Sequence, residues 1–222
     1  MRYIYETHCH TSEVSPCGQL TAKEIVEKYK AAKYSGIVIT DHFCRYSLAK
    51  ILDSEGYSAA VDYFLTGYRA AKEAAGSELD ILLGMELRFN ENLNDYLVLG
   101  ITEDFLYEYE DILDMNPQSF SELAREKGIL IFQAHPFRNS MTVINPKFLD
   151  GVEVFNGHFA HDSRNNLAEI WAEKYNLLKC SGSDMHEVRQ IPRGGIISDE
   201  RITDTKKLVE ILKKNPELVK NY

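Results

Sequence analysis

The chain has 222 residues, of which 44% are hydrophobic and 27% charged, enough for one domain with a substantial core and too apolar for a disordered chain. Its formal net charge of -9, from 34 acidic and 25 basic residues, argues against a broad face for a phosphate backbone, so no long nucleic acid is expected. The N-terminus has no apolar leader and no run reaches membrane-spanning length, so we expect a cytoplasmic protein without membrane contact.

Strand-like and helix-like segments alternate from end to end. A run at 2–5 leads into His8-Cys9-His10. Thr21 and Glu24 form a capping box for a helix to about residue 35, stopped by Gly36. The apolar run 36–40 ends in Asp41-His42. Residues 45–56 show no readable motif and are treated as a loop, and a second helix spans 57–75. Strands at 80–86 and 96–100 follow, the first closing on Glu86. Ser119 and Glu122 form another capping box, whose helix stops at Gly128. The strand 129–133 leads to His135-Pro136, and 152–155 leads to Asn156-Gly157-His158. A helix at 162–175 precedes a strand at 177–181 and then Asp184-Met185-His186. A short apolar piece at 195–197 and a helix at 203–214 close the chain.

About seven core strands in a single domain over 1–222 make this an α/β chain with a mainly parallel sheet. Imidazoles and carboxylates, the ligands of borderline divalent metals, recur where these strands end. A barrel gathers such residues at the C-terminal mouth of its strands, whereas a doubly wound sheet, the alternative, gathers its site at one switch point. In His8-x-His10 the two rings share one strand face and Cys9 takes the other. Each motif alone has an ordinary explanation, as a surface pair, a cap or a turn. Together they would require five or six coincidences, and we reject that combination.

The series His8-x-His10-Thr11, Thr40-Asp41-His42, Gly84-x-Glu86, Ala134-His135-Pro136 and Gly182-Ser183-Asp184-x-His186 resembles the PHP (polymerase and histidinol phosphatase) family. The resemblance implies a TIM-like (β/α)7 barrel holding two or three divalent ions (Zn, Mn or Fe). It implies that His8, His10, Glu86 and Asp184 share one ion, that Glu86 bridges to a second with His135, and that His42 and His186 hold a third. The family's usual histidine near 95–100 is missing, and Asn156 or His158 could complete that ligand set. Of the candidates for a further ligand past the first motif, Glu13, Ser15 and Cys17, we favour Glu13. Catalytic roles are assigned to Asp184, His186 and Asp41.

The implied chemistry is hydrolysis of a phosphate ester by metal-activated hydroxide, with a small phosphorylated metabolite as the first substrate choice. A phosphodiesterase or exonuclease on nucleotides or short oligonucleotides, or a non-catalytic metal-binding module, are the alternatives. Phosphate recognition calls for guanidinium groups, and Arg138, Arg193 and Arg45 lie on motif loops. Cys9, Cys17, Cys44 and Cys180 have no zinc-finger or redox spacing and read as small apolar filler, although Cys17 and Cys44 lie near motif loops. His161 belongs to no motif and reads as a surface residue.

Overall fold

The computed structural model describes residues 2–190 and 192–221. Strand β1 (Tyr3–Cys9) is followed by helix α1 (Ala22–Ala31), where the Thr21 hydroxyl accepts from Glu24 N–H and Glu24 accepts from Thr21 N–H. This is the expected capping box, and it settles two N–H groups that a helix start leaves unpaired. Next come β2 (Gly36–Ile39), β3 (His42–Phe43), α2 (Arg45–Glu55) and α3 (Tyr57–Ala75). The stretch read as a loop is therefore a helix. Its cap is the sulfur of Cys44, which accepts from Ser47 N–H at 3.4 Å, and cysteine is not a residue that signals a cap.

Strand β4 (Asp80–Leu87) leads to β5 (Tyr96–Leu99), α4 (Glu103–Glu108) and α5 (Pro117–Lys127). The cap of α5 is Asn116, with Pro117 in the first turn and Ser119 at the third helical position, so Ser119 is not the cap expected from its spacing to Glu122. Then come β6 (Leu130–Gln133), β7 (Gly151–Asn156), α6 (Asn165–Tyr175), β8 (Leu178–Gly182), β9 (Gly194–Ser198), α7 (Thr205–Leu212) and β10 (Glu217–Lys220). Among the described residues, no helix is long and apolar enough to cross a membrane.

The strands lie in the order β10-β9-β1-β2-β4-β5-β6-β7-β8, with β3 paired to β4. The sheet curls into a nearly closed barrel. At its upper end His10 N–H donates to Met185 O (3.1 Å) and Met185 N–H to His8 O (3.3 Å), which draws β1 to the segment following β8. Lower down, β9 wedges against β8. A Cβ on Gly194 would lie 2.1 Å from the Gly182 carbonyl carbon, so only glycine permits that approach. Among the described residues the expected mainly parallel wall of about seven strands is corrected to a mixed sheet of ten. β5 runs antiparallel to both neighbours because it follows β4 through a short loop with no crossover helix, and β9 is antiparallel to β1 and β10.

Tyr5, Val38, Leu82, Leu97, Phe132 and Ile196 fill the barrel interior, and Leu208, Val209 and Leu212 of α7 close its lower end. Each such side chain contributes roughly 1.5–3 kcal/mol by leaving water. A second apolar layer, including Ile25, Phe64 and Leu83, lies between the sheet and the helices on its outer face. The barrel floor is therefore apolar and buried, and the upper mouth is left for polar residues.

Candidate metal centre

Five strands deliver these side chains to the mouth. His8 lies near the end of β1, and His10 follows it. His42 lies in β3, Glu86 near the end of β4, His135 past β6, and Asp184 and His186 past β8. The seven expected metal residues come together, with His8, His10, Glu86, His135 and Asp184 essentially buried. His135 and Asp184 adopt positive φ (28° and 51°), a strained conformation for non-glycine residues that is found disproportionately at functional sites. Donor atoms of three sets, His8/His10/Asp184, His10/His42/His186 and His42/Glu86/Asp95, each lie within 4.8 Å of one another.

Hydrogen bonds decide how each ring is presented. Glu153 Oε1 is 2.8 Å from His8 Nδ1, and Ser15 Oγ is 3.2 Å from His10 Nδ1 while donating onward to Asp41 at 2.7 Å. The Asp184 carbonyl is 2.8 Å from His186 Nδ1, and Glu86 Oε2 is 2.8 Å from His42 Nδ1. These acceptors hold a proton on each Nδ1 and leave the Nε2 lone pair free. Nε2 of His8 and of His10 then face each other at 3.1 Å, with oxygens of Glu86 and Asp184 at 3.3–3.5 Å. Two facing lone pairs among carboxylates require a cation between them, a proton or a metal ion. The donor set suits a borderline divalent metal.

The electrostatics agree. Burial would push the Glu86 carboxyl up, but the charges of His42 and His8 and a hydrogen bond from His135 hold it well below the usual carboxylate range. Asp184 is likewise held low against burial, by His8, His10, His186 and Arg138. Burial opposes protonation of His8, yet Glu153, Asp184 and Glu86 raise its pKa well above that of a free imidazole. Burial and the neighbouring His186 and His42 leave His10 well below it. The surrounding carboxylates thus favour protonation of His8 over His10. His135 Nδ1 is buried without a hydrogen-bond partner among the described residues, as expected where a cation belongs.

An open cavity of about 700 Å³ rises above this floor, lined by Cys17, Arg88, Arg138, Met141, His158 and His161 among others. Arg138 donates to Asp184 Oδ2 (2.7 Å) and Asn156 Oδ1 (2.9 Å), and its buried Nε has no partner. Asn156 donates to Glu153 and Asp184, so its amide is engaged at both ends. His158 lines the cavity, with burial lowering its pKa to about 4.

Several expectations change. Glu13 lies away from the centre and accepts from Ala22 N–H at the start of α1. Asp41 does not reach the cluster: Thr11 N–H, Thr11 Oγ1 and Ser15 Oγ surround its carboxylate at 2.7 Å, so it acts on His10 through Ser15. Arg45 is paired with Asp114 on the surface, and Arg193 donates to the Asn221 carbonyl, so neither lines the cavity. His161 is exposed, as expected, and stands at the cavity rim with its ring 4.8 Å from that of His158. Cys17 is not apolar filler. Its sulfur lies 3.1 Å from His186 Nε2 and 3.3 Å from His42 Nε2. Although burial opposes it, these contacts lower the thiol pKa to about 6.

Three residues were missed in the sequence: Asp95, Arg88 and Glu153. Asp95 lies just before β5, and because that strand is antiparallel, its beginning rather than its end faces the mouth. Arg88 grips Asp95 through two bonds of 2.7 and 2.8 Å. Glu153 lies inside β7, where a carboxylate in an apolar run was the available signal; it holds His8 Nδ1 and accepts from His135 N–H at 2.9 Å.

The family model described as PHP domain matches residues 6–222. No curated protein matches the sequence. Among solved structures, PsfC from Pseudomonas syringae PB-5123 superposes with a TM-score of 0.71 at 16% identity, covering 99% of this chain and 92% of its own. A protein from Bifidobacterium adolescentis ATCC 15703, provisionally described as a metal-dependent phosphoesterase, gives 0.56 at 18% identity, covering 96% of each chain. Endonuclease Q, in a complex with a 27-mer duplex whose abasic lesion lies at the active site, gives 0.65 at 14% identity, covering 98% of this chain and 58% of its own. At these identities the likeness concerns the fold. It nevertheless overturns the expectation of a small phosphorylated substrate with long nucleic acid excluded, since this fold can hold a duplex at its active site. A net charge of -9 counts the whole surface, whereas the potential that a phosphate meets is set locally at the mouth.

Proposed function

We propose, from the premise that this chain belongs to the PHP domain family over residues 6–222, that it is a metal-dependent phosphoesterase cleaving phosphodiester bonds of nucleic acids or their fragments. The observation that carries this reading is the pair of Nε2 lone pairs of His8 and His10, 3.1 Å apart between Glu86 and Asp184, on the floor of an open cavity. Divalent ions bound there would acidify a water as nucleophile and offset charge on the phosphoryl oxygens. His8, His10, Glu86 and Asp184 would hold one ion, Glu86 with His135 and Asp95 a second, and His42 with His186 a third. Zinc, manganese and iron all suit these ligands.

The remaining residues orient and position. Glu153 and the Ser15–Asp41 relay keep the His8 and His10 protons on Nδ1, so both rings offer Nε2 inward. Arg138 clamps Asp184 and lines the cavity as a guanidinium for a phosphoryl oxygen, and Arg88 adds a second guanidinium on the wall. An open mouth of about 700 Å³ favours a diester carried on a larger chain, with endonuclease Q as the precedent for duplex DNA on this fold. The test is a metal-supplemented assay on bis-p-nitrophenyl phosphate, p-nitrophenyl phosphate, single-stranded DNA, duplex DNA and a duplex with an abasic site. Cleavage of diester substrates that is lost in Asp184→Asn is expected. Hydrolysis confined to the monoester would overturn the diester reading, and no hydrolysis of any substrate would overturn the phosphoesterase reading.

A further inference from the structure

Cys17 is presented to the mouth by a tight turn. Gly18 N–H donates to Ser15 O at 2.9 Å across Pro16 and Cys17, and Gln19 N–H donates to the His186 carbonyl at 2.8 Å. A Cβ on Gly18 would lie 2.9 Å from the Thr11 carbonyl oxygen, so the turn is built for glycine there. The thiol is thereby pinned to the backbone of His186, although the residue itself is exposed.

Two rings aim at this sulfur. His186 Nδ1 faces the Asp184 carbonyl and His42 Nδ1 faces Glu86 Oε2, so each ring turns an Nε2 lone pair toward Cys17, at 3.1 and 3.3 Å. The ring of His10 stands 4.5 Å, centroid to centroid, from both His42 and His186. In a tetrahedral site, a metal–sulfur bond of about 2.3 Å and a metal–nitrogen bond of about 2.0 Å set sulfur and nitrogen roughly 3.5 Å apart, within a few tenths of an ångström of these separations.

We propose that Cys17 is the sulfur ligand of an ion held with His42 and His186, so that this outer position selects a thiophilic divalent cation of the zinc class over magnesium or manganese. The proposal rests on the metal-binding reading above. On binding, the S–H bond breaks, its proton passes to solvent, and the thiolate pair forms the metal–sulfur bond. A thiolate ligand among imidazoles favours zinc, cobalt and iron, whereas magnesium and manganese prefer an all-oxygen shell.

The experiment is a titration of metal-free protein with Co²⁺, followed by absorption, for wild type and Cys17→Ser. Cys17 lies on a surface turn and Ser preserves its shape, and visible cobalt bands from the imidazole ligands in the variant report an intact site. We expect a near-ultraviolet thiolate-to-cobalt band in wild type, absent in Cys17→Ser while the visible bands persist, and zinc affinity at this position at least tenfold weaker in the variant. Visible bands without the thiolate band in wild type, or a thiolate band that survives in Cys17→Ser, would overturn the role of Cys17 and leave the metal reading standing. Failure of cobalt to bind wild type at all would overturn both.

Discussion

Glu6 stands in β1 with no exposure to solvent, and among the described residues no charged partner is paired with it. Its carboxylate instead collects donors: Oε1 accepts from Thr7, His8 and Ser183 N–H at 2.9–3.0 Å, and Oε2 from the hydroxyls of Tyr29 (2.7 Å) and Ser183 (2.5 Å). The register of β1 against β2 shifts between Glu6 and Cys9, and two of these N–H groups lie within that irregularity. Glu6 thus ties the strand bearing His8 to the loop bearing Asp184. In Glu6→Gln the new NH₂ would face either three backbone N–H groups or the two hydroxyls. The Ser183 oxygen already accepts from Arg193 and Gly194 N–H at 3.0 and 2.9 Å, so it is poorly placed to accept a third. At least two buried donors are left unmet, at about 1–3 kcal/mol each, or about 2–6 kcal/mol together. At about 2–4 °C per kcal/mol for a chain this size, the Tm of metal-free protein should fall by roughly 5–20 °C. Thermal unfolding followed by circular dichroism measures this, and zinc affinity should weaken in parallel because His8 and Asp184 lose their common anchor. A Tm within about 2 °C of wild type, together with unchanged metal affinity, would refute the reasoning.

Other outcomes follow from the same geometry. Asp184→Asn should lower activity by a factor on the order of 10² and reduce metal content, measured by steady-state kinetics and elemental analysis. Arg138→Ala should weaken both turnover and metal retention, because its guanidinium is bonded to Asp184; metal content equal to wild type would show that Asp184 needs no such clamp. The sign of the pH dependence comes from His8, whose pKa is raised well above that of a free imidazole, so an incoming ion must expel its proton. Metal affinity should rise with pH through the neutral range, and calorimetry in buffers of different ionisation enthalpy should register proton release. Chelation should lower Tm, with re-added zinc restoring it, by roughly 3–4 kcal/mol at 100–1,000 times the dissociation constant.

The motifs were legible in the sequence because their histidines and carboxylates fall where apolar strands end, and the distance between strand ends along the chain does not matter once the barrel closes. The α1 capping box and the 57–75 helix were legible because helix signals are local, and Cys9 was correctly placed opposite His8 and His10 because strand faces alternate. Strand direction was not local. Nothing between residues 88 and 95 shows that β5 runs backward, and that reversal puts Asp95 and Arg88 at the mouth. Side-chain partners were not legible either. Arg45, Arg193, Glu13 and Asp41 sit beside motifs in sequence but are held by Asp114, Asn221, Ala22 and Thr11, whereas Cys17 is carried to His42 and His186 by a turn around Gly18. The sequence by itself determined which residue types reach the mouth, since strand ends are set by local hydrophobic pattern. Only the tertiary structure decided which of them come within reach of one another and which hold a ring in place, because hydrogen bonds of 2.7–3.3 Å depend on the spacing between strands that meet only when the sheet curls.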